Sequence, residues 1–371
     1  MSNSEPEVDW AVFIPAVIIV LVCAIPLMIF PESASQILAD GRKIIMTNFL
    51  WLYLIVGISA FLFCLWLVLG RYAHVKLGAP DESPEYSDMH WVAMMFTTAI
   101  GASVIAWGFA EPIFYLQTPP LGIEVGSTKS FEWAHMYPLL HWGIVPWSMY
   151  ALPAVPIAYM LYVKRYPVLR ISSACDGALP KRGRDQIKTI IDILIVLGIV
   201  GGVATSLGLG VPLLSAMLST LFEVPDSMMI KMSVLSLWTL LFGASVYRGL
   251  KSGIKVLADI NIVLAIFAIF FVLIAGPGVF IMDLTVNSIG LMFNNFISTA
   301  TWTDPIENGS FPEDWTGFYW GWWLAYTGMV GLFFGRISRG RTIRQLVLGV
   351  ICWGCLGTWL FLAVMGGYSL Y

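Results

Sequence analysis

The sequence has little charge for its length. Asp, Glu, Lys and Arg make up 12% of the 371 residues, whereas hydrophobic residues make up 58%, and the mean hydropathy is +0.81. Soluble globular domains carry about 25% charged residues, so the composition excludes a soluble domain, and we find no basic patch for nucleic acid. A transmembrane barrel would show short alternating segments. We therefore predict an all-α integral membrane protein.

Cysteine and histidine are also scarce, with five and four residues. Cys352 and Cys355 form a CxxC pair, but they lie in an apolar helix with no second pair or histidine nearby, so we interpret them as packing residues. The histidines are too scattered for a metal site. No Ser, His and Asp set with recognisable spacing is present, and no phosphate-binding glycine loop. We expect neither an enzyme nor a resident metal or cofactor.

Nine long apolar runs predict nine transmembrane helices. They cover residues 10–30, 47–70, 91–110, 136–163, 193–222, 232–247, 260–282, 315–335 and 345–371. The first run lacks a basic leader and a cleavage site with small residues, so we interpret it as a span and not as a signal peptide. Near the ends of the third, fifth and seventh runs, Glu111, Asp192 and Asp259 are expected to be solvated.

Lys and Arg are distributed unevenly among the connections. Those after the second, fourth, sixth and eighth runs hold sixteen, and the others hold four. Because cytoplasmic loops retain these residues, the count predicts a cytoplasmic N-terminus. We expect a multi-pass protein of the cell inner membrane.

Two runs are rich in aromatic residues. Trp322, Trp323 and Tyr326 lie too deep in the eighth run for an interfacial belt, which is the alternative for Trp315 and Tyr319. In the fourth run, offsets of five and three place Trp142, Trp147 and Tyr150 near one face of a helix. Because ring faces bind quaternary ammonium groups, these aromatics predict a cation-binding site.

Small residues interrupt two runs, at 99–103 and 201–212. Breaks at membrane depth are tolerated where backbone lines a cavity. Close helix packing is the alternative. We favour the functional interpretation for 99–103 only.

Several segments, including PLLHWGIVPWSMY and FYWGWWLAYTGMVGLFFGRISRGRTIRQ, resemble the betaine/choline/carnitine transporter family. TPPLG, PLLHWG and TDPI resemble its carnitine/γ-butyrobetaine antiporter branch. The resemblance implies an inverted-repeat (LeuT-like) transporter fold and a homotrimer. It divides a single domain, 1–371, into two leading helices (10–70), a first repeat (91–282), an interfacial helix (about 286–298) and an incomplete second repeat (315–371).

The resemblance also implies roles for individual residues. Trp142, Trp147, Tyr150 and Trp323 match an aromatic box for the substrate, and Tyr326 stands beside it where betaine carriers have tryptophan. Further aromatics match gate or pathway positions: Trp320, Trp322, Phe114 and Tyr115.

The coupling region departs from the family pattern. Sodium-coupled members have three glycines where this chain has Ala99, Gly101 and Ser103, and the antiporter branch has arginine and methionine in place of Asn261 and Val330. We leave solute exchange and cation-coupled uptake as alternatives, with a sodium ion or a proton as the coupling cation.

Two functions follow from the resemblance. The first is a secondary transporter of carnitine, glycine betaine, choline or a related quaternary ammonium solute by alternating access. The second is a truncated, non-transporting membrane protein that binds such amines or needs a partner chain. Only nine of the family's twelve spans are present, which is the reason for the second.

Overall fold

The computed structural model describes residues 8–98, 102–166, 170–247, 253–307 and 309–371, and the elements within them are helical. The α-helices are α1 (Trp10–Ile29), α2 (Pro31–Leu69), α3 (Asp88–Thr98), α4 (Ala102–Gln117), α5 (Thr128–His141), α6 (Ile144–Ala158), α7 (Ile171–Ala174), α8 (Arg184–Leu221), α9 (Met228–Tyr247), α10 (Gly253–Ala275), α11 (Gly278–Ala300), α12 (Phe318–Ile337) and α13 (Ile343–Ser369). Two π-helical segments, Tyr159–Val163 and Pro312–Gly317, follow α6 and precede α12.

The described helices confirm an all-α chain with membrane-spanning segments. Six segments have the length and apolar composition to cross a bilayer: Trp10–Ile29, Pro31–Leu69, Thr128–Val163, Arg184–Leu221, Gly278–Ala300 and Ile343–Ser369. Each of the nine predicted runs overlaps a described helix. The 39-residue α2 is about 58 Å long at 1.5 Å per residue, so it extends well beyond the run predicted at 47–70.

The predicted seventh run and the helix after it need new boundaries. The helix α10 ends at Ala275, and α11 begins at Gly278, so the run does not continue as one helix to residue 282. Pro277 lies between them and lacks the N–H that a continuing helix needs. The helix predicted at about 286–298 is therefore longer at both ends.

The chain forms two compact units, which we call unit 1 and unit 2. Unit 1 combines the described residues of Met1–Trp91, Val145–Gly202 and Ser298–Ile351. Unit 2 combines Val92–Ile144, Val203–Ile297 and Cys352–Tyr371. Each unit draws on three separate parts of the sequence, so both are held together by contacts between distant residues.

In unit 1, the basic loop after α12 pairs with the segment after α2. The backbone N–H of Leu77 donates to the Arg341 carbonyl, and that of Gly340 donates to the Leu77 carbonyl, each at 2.8 Å. Gly340 has φ +76°, and a Cβ there would lie 2.8 Å from the Cα of Pro84, so this turn requires glycine. Three ion pairs join the segments: Arg336–Glu85, Arg339–Glu82 and Arg341–Asp88.

In unit 2, one buried imidazole connects three helices. His135 of α5 has its Nδ1 2.8 Å from the Ser288 hydroxyl of α11. Its Nε2 lies 2.9 Å from the Ala363 carbonyl of α13. Because both ring nitrogens have partners, the side chain fixes the positions of α5, α11 and α13 without exposing a polar atom.

Candidate functional site

Three aromatic rings of unit 1 form a cluster that we call the aromatic box. Trp147 and Tyr150 are three positions apart in α6, which places them on one face of that helix, and α12 supplies Trp323. The ring centroids are 5.6 Å apart for Trp147 and Tyr150, 5.3 Å for Trp147 and Trp323, and 4.7 Å for Tyr150 and Trp323. The structure therefore brings Trp147, Tyr150 and Trp323 together, and the predicted place of Trp142 in the box stays a prediction.

The box is closed in this conformation. The ring planes meet at 87°, 69° and 50°, and the three residues are only 1%, 7% and 5% exposed for Trp147, Tyr150 and Trp323. At such angles the edge of one ring lies against the face of another. A cation bound at the box would contact those faces.

Tyr326 and Val330 follow the box residue Trp323 along α12. The Tyr326 ring packs on α8, where a Cβ added to Gly202 would lie 2.8 Å from its Cε2. Val330 is buried. The helix α8 runs without interruption through Gly201 and Gly202. Close helix packing therefore explains why a glycine stands at position 202. This was the alternative interpretation of the small residues at 201–212.

The other aromatics of α12 pack inside unit 1. Trp320 is fully buried, and a Cβ on Gly57 of α2 would lie 2.6 Å from its indole nitrogen. The Trp322 ring lies 5.8 Å from Phe318 and 6.1 Å from Tyr319. Tyr319 is also fully buried, so an interfacial belt is the wrong interpretation for it. Gate roles for Trp320 and Trp322 stay predictions.

The fourth predicted ring, Trp142, lies in unit 2. The helix α5 ends at His141 and α6 begins at Ile144, so the helical offset of five that aligned Trp142 with Trp147 does not apply. Pro146 has no N–H for the Trp142 carbonyl four residues earlier. The Thr358 hydroxyl donates to that carbonyl instead, at 2.7 Å, and this bond stabilises the break between the helices.

Trp142 belongs to a second group of side chains, which we call the Glu111 cluster. Its indole N–H donates to Glu111 Oε2 at 2.9 Å, and the Tyr115 hydroxyl donates to Oε1 at 2.5 Å. The same hydroxyl lies 2.7 Å from Nδ1 of His141. Glu111 and His141 are both completely buried.

The expectation that Glu111 is solvated was therefore wrong. The helix α4 continues through Pro112 to Gln117, so Glu111 lies inside the helix and not at its end. The apolar residues after Pro112 were the signal that the helix continues. Tyr115 was expected as a pathway aromatic, and the structure places it in this polar cluster, whereas Phe114 is exposed and lies 6.4 Å from the Trp107 ring.

The predicted coupling region is described only in part. Ala99 and Gly101 lie outside the described residues, and the side chains of Ser103 and Asn261 do as well. The backbone of Asn261 lies within α10.

Comparison with known proteins identifies the family. The profile of the BCCT family, described as betaine/carnitine/choline family transporters, matches residues 11–371. The chain belongs to the betaine/carnitine/choline transporter family. This membership and the apolar helices make it a multi-pass membrane protein, and the family is one of transporters, not of enzymes.

A curated family member provides a closer comparison. The glycine betaine transporter OpuD of Bacillus subtilis (strain 168) is 37% identical over 344 residues, which cover 91% of this chain and 66% of OpuD. The chain thus spans about two thirds of the length of this relative. The placement of the present chain in the carnitine/γ-butyrobetaine antiporter branch stays a prediction.

Proposed function

We propose that the chain functions in secondary transport of quaternary ammonium solutes, and that the aromatic box binds the cationic head group. The observation that supports this most directly is the meeting of Trp147, Tyr150 and Trp323 in unit 1. Family membership and the relative OpuD, a glycine betaine transporter, support the same solute class. Glycine betaine, carnitine and choline are the solutes to test.

The physical basis of recognition is the electrostatic attraction between a cation and ring faces. A trimethylammonium group has no N–H to donate, so hydrogen-bond acceptors cannot select it, whereas tryptophan and tyrosine faces can. Buried rings strengthen this attraction because water does not compete. The closed box then corresponds to a conformation that must open before the solute enters, as alternating access requires.

The coupling mode is a separate part of the proposal, and the family resemblance supports it. We propose that Ala99, Gly101, Ser103, Asn261 and Val330 belong to the region that decides between solute exchange and sodium-coupled uptake. We also propose a homotrimer in the cell inner membrane with the N-terminus in the cytoplasm.

Transport by the natural protein in lipid vesicles tests this proposal. Vesicles loaded with unlabelled glycine betaine or carnitine are expected to take up the labelled solute, and replacing sodium with potassium separates exchange from sodium-coupled uptake. Uptake unchanged in potassium excludes obligatory sodium coupling. Absence of uptake of every solute, with and without sodium, would contradict the proposed function.

A variant of the box tests the site separately. Trp323→Leu is expected to weaken solute binding by about 1 to 2 kcal/mol, the contribution of a desolvated cation–π contact, measured by quenching of tryptophan fluorescence. Trp51→Leu is the matched control, because it also removes one tryptophan, at a residue that is 53% exposed and has no predicted role in the site. Equal affinities for the natural protein and the Trp323 variant would show that the box is placed wrongly.

A further inference from the structure

An apolar groove opens on the surface of unit 1, and residues other than those of the aromatic box form it. Its volume is about 560 Å³, and its walls come from α2, α6, α7 and α12, with Phe63, Leu152, Ala174 and Leu324 among the lining residues. Phe63 is 48% exposed, so the groove is open on the side of α2. We call it the unit 1 groove.

The unit 1 groove has the length of a lipid acyl chain. Its α2 wall extends from Val56 to Leu67, which is about 17 Å at 1.5 Å per residue. The hydrocarbon core of a bilayer is about 30 Å thick, so the wall is about as long as one leaflet is deep. Both α2 and α6 belong to segments that can cross a bilayer. Because an empty groove leaves its walls without dispersion contacts, a hydrocarbon chain suits this surface.

One end of the groove lies where several helices begin or end. Tyr72 lines it just after α2, Tyr159 just after α6, and Ile343 at the first position of α13. The Ile343 N–H donates to the Val75 carbonyl at 3.0 Å, and the Tyr162 hydroxyl donates to a carbonyl in the last turn of α12 at 2.6 Å. Tyrosine is enriched at membrane–water interfaces, so this end lies at the level of the lipid head groups.

Two basic side chains lie on the tyrosines at this end. The Arg71 guanidinium carbon is 4.8 Å from the centroid of the Tyr72 ring, and its Nη2 donates to the Tyr72 hydroxyl at 2.8 Å. The Lys164 Nζ is 6.0 Å from the centroid of the Tyr159 ring. Both cations are exposed, and neither forms an ion pair with any residue that the structure describes.

The carboxylates of the segment after α2 already have partners of their own. Glu82 pairs with Arg339, and Glu85 pairs with Arg336. An anionic head group would therefore supply a negative charge that the protein does not place beside the two exposed cations. A zwitterionic head group brings no net charge, so the two kinds of lipid are expected to bind this end differently.

We propose that the unit 1 groove binds an anionic phospholipid, with an acyl chain against α2 and α6 and the head group at Arg71 and Lys164. The apolar walls hold the hydrocarbon, and the two cations select the head group. The tyrosine rings keep these cations at the interface without neutralising them. The site does not depend on the proposed transport function, because lipid binding requires neither the aromatic box nor solute.

Native mass spectrometry of the protein with added lipid tests the selection of the head group. Phosphatidylglycerol and phosphatidylcholine with identical acyl chains are compared. We expect the natural protein to retain more phosphatidylglycerol, and Arg71→Gln with Lys164→Gln to weaken its binding about fivefold for each charge removed. Lys181→Gln with Arg182→Gln is the matched control, because it removes two exposed charges from outside the groove, and it should keep the preference.

Three results of this comparison would overturn the site. The first is equal retention of the two lipids by the natural protein. The second is an unchanged preference for phosphatidylglycerol in the variant that lacks both groove cations. The third is displacement of the lipid by excess glycerol phosphate, which would show that a soluble anion suffices and that the groove contributes nothing.

Photo-cross-linking in lipid vesicles locates the acyl chain. A phosphatidylglycerol analogue with a diazirine in its acyl chain is expected to attach to Phe63 and Leu152 more than to Leu52, an exposed residue of α2 outside the groove. Ala174→Trp, which places a larger side chain in the groove, should lower that attachment. Equal attachment to Phe63 and Leu52 would contradict the proposal. Dimers that form without lipid and leave the groove unlabelled would show that a second copy of the chain occupies it instead.

Discussion

The aromatic box of unit 1 and the Glu111 cluster of unit 2 contain the same kinds of aromatic residue, but they use different parts of them. In the box, Trp147, Tyr150 and Trp323 contact one another through ring faces and edges. In the cluster, Trp142 and Tyr115 direct their N–H and O–H groups at a carboxylate.

The difference shows that an aromatic residue in a membrane segment has two independent functions. Its face attracts cations, and the polar group at its edge satisfies a buried acceptor. Both groups are rich in tryptophan and tyrosine in sequence, so composition does not separate them. What the structure adds is that a carboxyl lies within hydrogen-bond distance of Trp142 and Tyr115.

The largest effect is expected from removing a ring of the box. Trp147→Ala should lower the free energy of unfolding by about 3 to 5 kcal/mol, because it leaves a large cavity in a fully packed site, and thermal unfolding in detergent measures it. Trp51→Ala, at a residue 53% exposed, is the control and should change the stability little. Equal effects of the two changes would show that the box is not a packed core.

A smaller loss of stability is expected from a change in unit 2, where polar contacts hold the Glu111 cluster. Thr358→Val keeps the shape of the side chain but removes the donor to the Trp142 carbonyl, which should cost about 1 to 3 kcal/mol of stability. Thr358→Ser retains the hydroxyl and should come closer to the natural protein in the same assay. If valine and serine have the same effect, the bond does not stabilise the break after α5.

Two adjacent glycines of α8 test how tightly the residues next to the aromatic box pack. A Cβ on Gly202 would lie 2.8 Å from the Tyr326 ring, whereas one on Gly201 would meet nothing within 4 Å. Gly202→Ala should therefore destabilise the protein by about 1 to 2 kcal/mol through overpacking. Gly201→Ala should be neutral or raise the stability by about 0.5 kcal/mol through helix propensity. The reverse order would contradict the packing of Tyr326 on α8.

The smallest effect on stability is expected from a change at a carboxylate outside the membrane segments, Asp176. Lys188 and Tyr166 bind the Asp176 carboxylate and lower its pKa below the usual value. The stabilisation is therefore present above the pKa of the unfolded chain and is lost as pH falls through the lower folded pKa. We expect the thermal midpoints of the natural protein and Asp176→Asn to differ at neutral pH and to converge in acid. A difference that persists in acid would contradict this origin.

Sequence reasoning succeeded where a local pattern carries the information. Apolar runs located helices, and the spacing of Trp147 and Tyr150 placed both on one face of α6. It failed where a helix end depends on distant partners. The helical alignment of Trp142 with Trp147 was wrong because α5 ends at His141, where the Trp142 carbonyl accepts from Thr358, 216 residues away in sequence. The place of Trp142 in the box stays a prediction.

The sequence by itself determined the membrane class, the helical content and the family, because hydropathy and short motifs act locally. Only the tertiary structure decided which rings meet and whether a charge is solvated. Burial depends on side chains from separate segments, such as Trp323 of α12 on Tyr150 of α6 and His141 of α5 beside Glu111 of α4. Those distances exist only after the helices have packed.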